Sequence, residues 1–363
     1  MMPTDSAATV NLADWGWDDR WDAAFEPLAT AGLAPARVIA QHRGAWLAVT
    51  DGGELTATPT GRFRHEAEEG GLPAVGDWVG CVLSPHGGEA RIDAILPRRS
   101  AFRRRAAGSQ LGVQLIGANV DTLFVATSLN GDLNPRRLER YVVMGHDAGV
   151  EPVLLLTKSD LVDDSESTAA RLSADLSIAT VALSSVTGEG VEAVESWFRV
   201  GRTLALVGSS GVGKSTLLNR LAGQLLMITR EIREDDARGR HATTHRELFR
   251  LPGGALMLDT PGMRELGLWD ADDGVEATFA DIAEIATECR FADCAHEREP
   301  GCAVRAAIED GRIDQRRLRS YKKLTAELAE LPPPALRREK ARQFAKMVRN
   351  TSAETIARKS YRG

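Results

Sequence analysis

Between residues 36 and 97 short apolar runs alternate with glycine and aspartate. The runs cover 37–40, 45–49, 54–57, 76–82 and 90–95. About five strands separated by Gly/Asp turns in ~60 residues predict a small β-barrel, and the OB type fits best. Upstream, residues 11–31 read as a short amphipathic helix. Arg98, Arg99 and Arg103 to Arg105 close the barrel segment and put positive charge at its end. Beyond residue 110 the rhythm changes to alternating strand and helix, the signal of a mostly parallel sheet. Strands are predicted at 122–126, 152–156, 179–183, 203–207 and 255–258, with helices at 135–148, 190–199 and 214–223. Toward the C-terminus Leu318, Tyr321, Leu324, Leu328 and Leu331 keep helical spacing, with Arg316, Arg317, Arg319, Lys322 and Lys323 between them. Pro332, Pro333 and Pro334 break that helix, and a second basic helix is predicted over 335–349. There is no internal repeat.

The 363 residues suffice for two or three domains, each with its own core. No apolar run is long enough to cross a bilayer, and the first ten residues lack the basic-then-apolar pattern of a secretory leader. Four cysteines, three of them between Cys289 and Cys302, suit a reducing cytosol and a metal site better than disulfides. The expected location is therefore cytoplasmic, with no membrane partner. The net charge of −6 conceals an asymmetry. Residues 311–363 hold 15 Lys/Arg against 5 Asp/Glu, a local +10, which leaves −16 on residues 1–310. A polyanionic partner and a solvated helical face both account for such a tail.

The sharpest chemistry lies in five short motifs. Gly208-Ser209-Ser210-Gly211-Val212-Gly213-Lys214-Ser215-Thr216 follows an apolar strand and opens a helix, the context a phosphate loop requires. Its glycines let backbone N–H groups close around phosphate oxygens at a helix N-terminus. Lys214 would neutralise the β- and γ-phosphates, and the Ser215 hydroxyl would meet Mg²⁺. Thr157-Lys158-Ser159-Asp160, after the strand at 152–156, separates guanine from adenine. A carboxylate accepts two hydrogen bonds from guanine N1–H and the 2-amino group; adenine offers neither. Thr157 stands where asparagine is usual, which predicts the loss of one side-chain contact. Ser184-Ser185-Val186 forms a further loop at the base. Asp259-Thr260-Pro261-Gly262 ends a strand, placing Asp259 near Mg²⁺ through water and the Gly262 N–H at the γ-phosphate. Thr243 or Thr244 would cap the metal. Met263 follows directly, and a thioether cannot orient water as an amide does. His241, with His245 behind it, is the candidate to take over that task. These motifs run in a rotated order, starting between the usual third and fourth. Rotation is physically possible because strand positions in the sheet, not chain order, build the pocket.

Cys289, Cys294, His296 and Cys302 supply three thiolates and an imidazole within 14 residues. This soft S₃N set predicts one tetrahedral structural zinc per chain, with no position open to water. Cys81, inside a strand pattern, reads as a plain buried residue.

The order TKSD, GSSGVGKST, HATTHREL, DTPGMREL, followed by CRFADCAHEREPGC, resembles the circularly permuted, ribosome small-subunit-dependent GTPases of the RsgA family. The resemblance covers nearly the whole chain, Val75-Gly76-Asp77-Trp78-Val79 in the barrel included. It implies a multidomain α/β chain: an N-terminal OB-type β-barrel, a circularly permuted P-loop GTPase domain and a C-terminal zinc-binding helical domain. On this sequence the divisions fall at 1–35 (helical extension), 36–105 (barrel), 106–275 (G domain) and 276–363 (zinc-binding and basic helical domain). The resemblance also implies GTP hydrolysis stimulated by the small ribosomal subunit, contact with its rRNA and a role in late maturation; the chain itself is expected to be a monomer. The family's switch histidine in its GxHTT pattern falls on His241; here Ala242 replaces the first threonine. Two other classes compete. A P-loop ATPase or small-molecule kinase is disfavoured by Asp160. An RNA-binding assembly factor with a mainly regulatory nucleotide site is disfavoured by intact Lys214, Ser215 and Asp259.

Overall fold

A computed structural model describes residues 10–42, 44–66, 71–105, 113–222, 246–259 and 272–329. The predicted N-terminal helix divides into a 3-10 turn, Leu12–Trp15, and helix α1, Asp19–Thr30. The break is set by Gly16 in a left-handed conformation and by Asp18, whose carboxylate caps α1 through Arg20 and Trp21 N–H. Trp21 and Phe25, four apart, turn inward.

Strands β1 (Ala34–Gln41), β2 (Trp46–Thr50), β3 (Gly53–Pro59), β4 (Trp78–Leu83) and β5 (Glu89–Ile95) form a closed barrel. They pair in the order β1-β2-β3-β5-β4 and back to β1, the OB arrangement. Ala36, Val38, Trp46, Ala48, Leu55, Ala57, Val79, Cys81, Ala90 and Ile92 fill it. Burial pushes the Cys81 thiol up to about 12, so it packs as a small apolar group. Helix α2 (Gly61–Glu66) lies against β5.

The arginine-rich segment after the barrel is not a simple closing stretch. β6 (Ala101–Arg105) pairs antiparallel with β7 (Val113–Ala118) as a separate two-stranded ribbon. Phe102 and Ile116 are buried, which anchors the ribbon despite its charge.

The larger layer is built from β8 (Thr122–Ser128), β9 (Glu151–Thr157), β10 (Ala179–Ala182), β11 (Thr203–Gly208), β12 (Glu247–Arg250) and β13 (Leu256–Asp259). Their spatial order is β10-β9-β8-β11-β13-β12, parallel except for β12. β8 is buried at every position, as a parallel strand covered on both faces must be. A single pairing, Ala40 with Glu247, carries the sheet on into β1 of the barrel. An irregular register between Val38 and Ala40 accompanies that double allegiance of β1. Helices α3 (Pro135–Asp147) and α5 (Lys214–Ala222) stand where predicted. The helix predicted over 190–199 is instead a short 3-10 stretch, Glu192–Trp197, and α4 (Ser165–Leu176) was not anticipated.

C-terminal to the sheet, α6 (Asp272–Thr278), α7 (Ala280–Ala286), α8 (Ala303–Glu309) and α9 (Gln315–Ala329) form the helical end. α6 packs on α3, and Arg140 of α3 meets Glu327 of α9 with both N–H···O distances at 2.6 Å. Leu318, Leu324 and Leu328 are buried as their spacing predicts. Arg317 departs from the expected basic face. It is buried, bonded to both Asp281 oxygens at 2.7 and 2.8 Å, and lies over Phe279. Leu331 and the helix predicted over 335–349 lie outside the described residues.

Candidate nucleotide and metal sites

β11 runs into the phosphate loop and α5 begins at Lys214, so the loop sits at the C-terminal edge of the central strand. Gly208 has φ +147, and a Cβ there would lie 2.3 Å from Ala126 O of β8; the close strand approach requires glycine. Lys214 Nζ donates to Gly208 O at 2.8 Å and Ser209 O at 2.6 Å, folding the ammonium over its own loop. Val212 is buried, while Ser210, Gly211, Ser215 and Thr216 are exposed at the mouth. A nine-residue helix N-terminus behind a glycine-rich loop is a ready anion site.

Thr157 ends β9, two strands from β11 with β8 between. Its hydroxyl is buried, 2.5 Å from Val212 O and 3.2 Å from Thr127 O. The threonine therefore makes a direct tie between the base-reading loop and the phosphate loop. Lys158 follows with φ +60, and Asp160 sits exposed in the short 3-10 turn Ser159–Leu161. Ser159 N–H donates to Leu183 O at 3.2 Å, joining this loop to the one after β10. There, Ser184 organises the turn: its Oγ accepts Val186 N–H at 3.3 Å and Thr187 N–H at 3.1 Å. Ser185 is half-buried beside it. A serine two and three residues before the N–H groups it accepts is a recognisable turn signal.

Asp259 ends β13, the parallel neighbour of β11, half-buried. Ser215 at the start of α5 and Asp259 thus bring hard oxygen donors to adjacent strand ends, a donor set suited to Mg²⁺. His241, Thr243, Thr244, His245, Gly262 and Met263 lie outside the described residues.

The cysteine cluster assembles between α7 and α8. Cys289 Sγ lies 3.6 Å from His296 Nδ1, Cys302 Sγ 3.5 Å from the same nitrogen, and the two sulfurs are 4.0 Å apart. All four ligand atoms, Cys294 included, fall within 4.8 Å of one another. Metal–sulfur bonds of about 2.3 Å and metal–nitrogen bonds of about 2.0 Å give tetrahedral edges of about 3.5 Å (S···N) and about 3.8 Å (S···S). Cys289, His296 and Cys302 stand close to those spacings, and Cys294 lies near enough to complete a four-donor set. Burial, then the charge of Lys322, holds the His296 imidazole below its usual value, favouring the neutral ligand form. Burial raises the Cys289 thiol, but N–H groups of Val304 and Ala303 and the neighbouring cysteines outweigh it, and the net direction is down. Glu299, missed in the sequence, shapes the loop. Its carboxylate accepts N–H from Ala295, Glu297 and Arg298 at 2.7 to 3.0 Å; its own backbone N–H first, then those of Glu297, Ala295 and Arg298, hold it down at about 2 against burial.

A phosphate loop on the central strand, a base-reading loop tied to it and a rotated strand order define a circularly permuted P-loop GTPase. An OB barrel precedes the nucleotide domain and a Cys₃His unit follows it. Residues 95–269 match the family model described as RsgA GTPase. A small ribosomal subunit biogenesis GTPase RsgA of Opitutus terrae is 47% identical over 331 residues, covering 88% of this chain and 90% of that protein. The crystal structure of YjeQ from Thermotoga maritima aligns with TM-score 0.62 and 25% identity, over 82% of this chain and 99% of its own. In fold the chain also matches YloQ, a circularly permuted GTPase, with TM-score 0.61 and 24% identity over 83% of this chain and 96% of that one. The chain belongs to the RsgA GTPase family.

Proposed function

We propose that the chain is a GTPase of small-subunit biogenesis that binds the small ribosomal subunit through its rRNA, acts late in maturation and hydrolyses GTP with stimulation by the subunit. The observation that carries this reading is the Thr157–Val212 tie, which sets a guanine-reading loop and a phosphate loop against each other. Asp160 reads guanine N1–H and the 2-amino group, with Lys158 along the base and Ser159 and Ser185 flanking it. Residues 208–216 wrap the phosphates, Lys214 neutralises the β- and γ-oxygens, and the Gly262 N–H meets the γ-phosphate. Ser215, Asp259 and either Thr243 or Thr244 hold Mg²⁺, which when bound neutralises charge on the phosphate oxygens. Water attacks the γ-phosphorus, the bond to the β,γ-bridging oxygen breaks, and GDP leaves with the electron pair. Since Met263 cannot orient that water, His241 does so once the subunit is bound. Zinc on Cys289, Cys294, His296 and Cys302 is structural. The protein works as a monomer in the cytoplasm, where its partner is assembled.

GTP turnover with and without purified small subunits tests the whole reading. Isolated protein should be slow, subunits should accelerate it, and rising salt should weaken the acceleration as phosphate contacts are lost. His241→Ala should bind GTP normally and lose most of the stimulated rate. Equal binding of ATP and GTP, or no response to subunits, contradicts the proposal. RNA binding with nucleotide turnover that subunits leave unchanged would favour the regulatory-site alternative.

A further inference from the structure

We propose that Arg220 is a positioning residue for guanine recognition, fixing the 184–188 loop at the base from the phosphate-loop helix. The proposal rests on the GTP-site reading above. Arg220 occupies the last turn of α5, the helix whose first residues are Lys214 and Ser215. Its guanidinium reaches the loop after β10. Nη1–H donates to Ser185 O at 3.0 Å and Val186 O at 2.9 Å, and Nη2–H donates to Thr187 O at 3.1 Å. Three successive carbonyls converge on one planar cation. The fork of an arginine satisfies that pattern; the point charge of a lysine does not.

The same turn is held from its other side by Ser184 Oγ, which accepts the Val186 and Thr187 N–H groups. Gly188 completes it with φ +95, and a Cβ there would stand 2.0 Å from Arg220 Nη2, so bare backbone is what lets the guanidinium pass. Each loop that faces the base is thus fastened to the segment that faces the phosphates: Thr157 to Val212 of the loop, and residues 185–187 to Arg220 of the helix. The distance between base and phosphate contacts is set before nucleotide arrives. Without Arg220 the phosphate loop keeps its own bonds, but the turn must be ordered during binding. That ordering cost falls on the base end alone and shows mainly as faster release.

Arg220→Met and Arg220→Lys in the full chain test this, with Gly188→Ala displacing the same guanidinium from the loop side. The readouts are GDP affinity, GDP dissociation rate, and competition by inorganic tripolyphosphate, which engages only the phosphate loop. Arg220→Met should bind GDP about tenfold more weakly through faster dissociation, with tripolyphosphate affinity unchanged. Arg220→Lys should recover part of the loss, and Gly188→Ala should shift GDP in the same direction. Equal weakening of GDP and tripolyphosphate would make Arg220 a general support of α5 and overturn the proposal, as would unchanged GDP binding in Arg220→Met. A parent protein that binds GDP no better than ADP would instead overturn the GTP-site reading, and the same titrations reveal it before any variant is made.

Discussion

Arg37 is the most informative residue to perturb, because a single buried cation joins three segments. It lies in β1, 2% exposed. Its guanidinium donates to Trp15 O, to Asn119 O at 3.2 Å and to Thr203 Oγ1 at 2.9 Å, and it packs over Trp78 at 5.2 Å. These partners belong to the N-terminal turn, the link between β7 and β8, and the start of β11. Burial pulls the group from 12.5 to about 10 against the opposing pull of Asp121 and Asp77, so it stays charged at neutral pH at a cost of roughly 3 kcal/mol. Three bonds from a charged donor at about 1.5–3 kcal/mol each outweigh that cost.

Arg37→Met removes the burial cost but strands two carbonyls and a hydroxyl. The net loss should be about 2–6 kcal/mol, in the range seen when one partner of a buried charged contact is deleted. Arg37→Lys keeps the charge without the fork and should lose roughly half as much. Urea denaturation followed by tryptophan fluorescence reads this junction directly, since Trp15, Trp17, Trp21 and Trp78 cluster around it. A Met variant within about 1 kcal/mol of the parent would refute the reasoning, because the stranded acceptors would then have found water or other donors at little cost.

Asp160→Asn should move preference from guanine toward xanthine nucleotides by roughly 100-fold or more, checked by competitive titration of GTP against XTP. Protein purified without chelator should hold about one zinc per chain, and Cys294→Ala should release it and increase proteolysis of α8 and α9; metal analysis decides. The Asp18 carboxyl is held below its ordinary 3.8, first by hydrogen bonds from Arg99, with burial opposing. A depressed carboxyl stabilises the fold fully above that ordinary value and loses its contribution as pH falls through the folded one. Thermal melts of the parent and Asp18→Asn, which keeps the helix cap, should therefore keep a constant gap above about pH 4 and converge only as the pH is taken lower; a gap that persists into acid would mean the Arg99 pair contributes nothing.

The nucleotide motifs were legible because each is local: a strand, a loop of fixed length and a helix, read without knowing the rest of the fold. The barrel strands were legible because glycine and aspartate punctuate them. The β6–β7 ribbon was not, since three consecutive arginines in β6 hide the alternation that Phe102 would otherwise show. Helix α4 was overlooked although Thr168, Leu172 and Leu176 recur at four-residue intervals, because its other positions are small or polar. Arg37 and Arg317 defeated the reading for a different reason. Whether an arginine is solvated or buried depends on partners far away in sequence, Asn119 and Thr203 for one and Asp281 for the other. Arg220 carries no signal either, since its carbonyl partners lie 33 to 35 residues back along the chain.

The rotated chain order has a structural consequence beyond motif sequence. Among the described residues β13 is the last strand of the nucleotide sheet in chain order, and Asp259 stands at its end. Thirteen residues later the chain enters α6, which packs on α3, and then reaches the zinc ligands. At the other end β8 enters the sheet directly from the ribbon, with Ala118 N–H bonded to Val75 O of the barrel at 2.9 Å. The cut thus places the two non-nucleotide units at opposite chain ends of one sheet, each attached through contacts to an element that borders the nucleotide loops. For the barrel that element is β11, reached through Arg37 and Thr203. For the zinc unit it is α3, reached through Arg140 and Glu327, and α3 is the connection between β8 and β9, whose ends meet at Ser128 and Thr157.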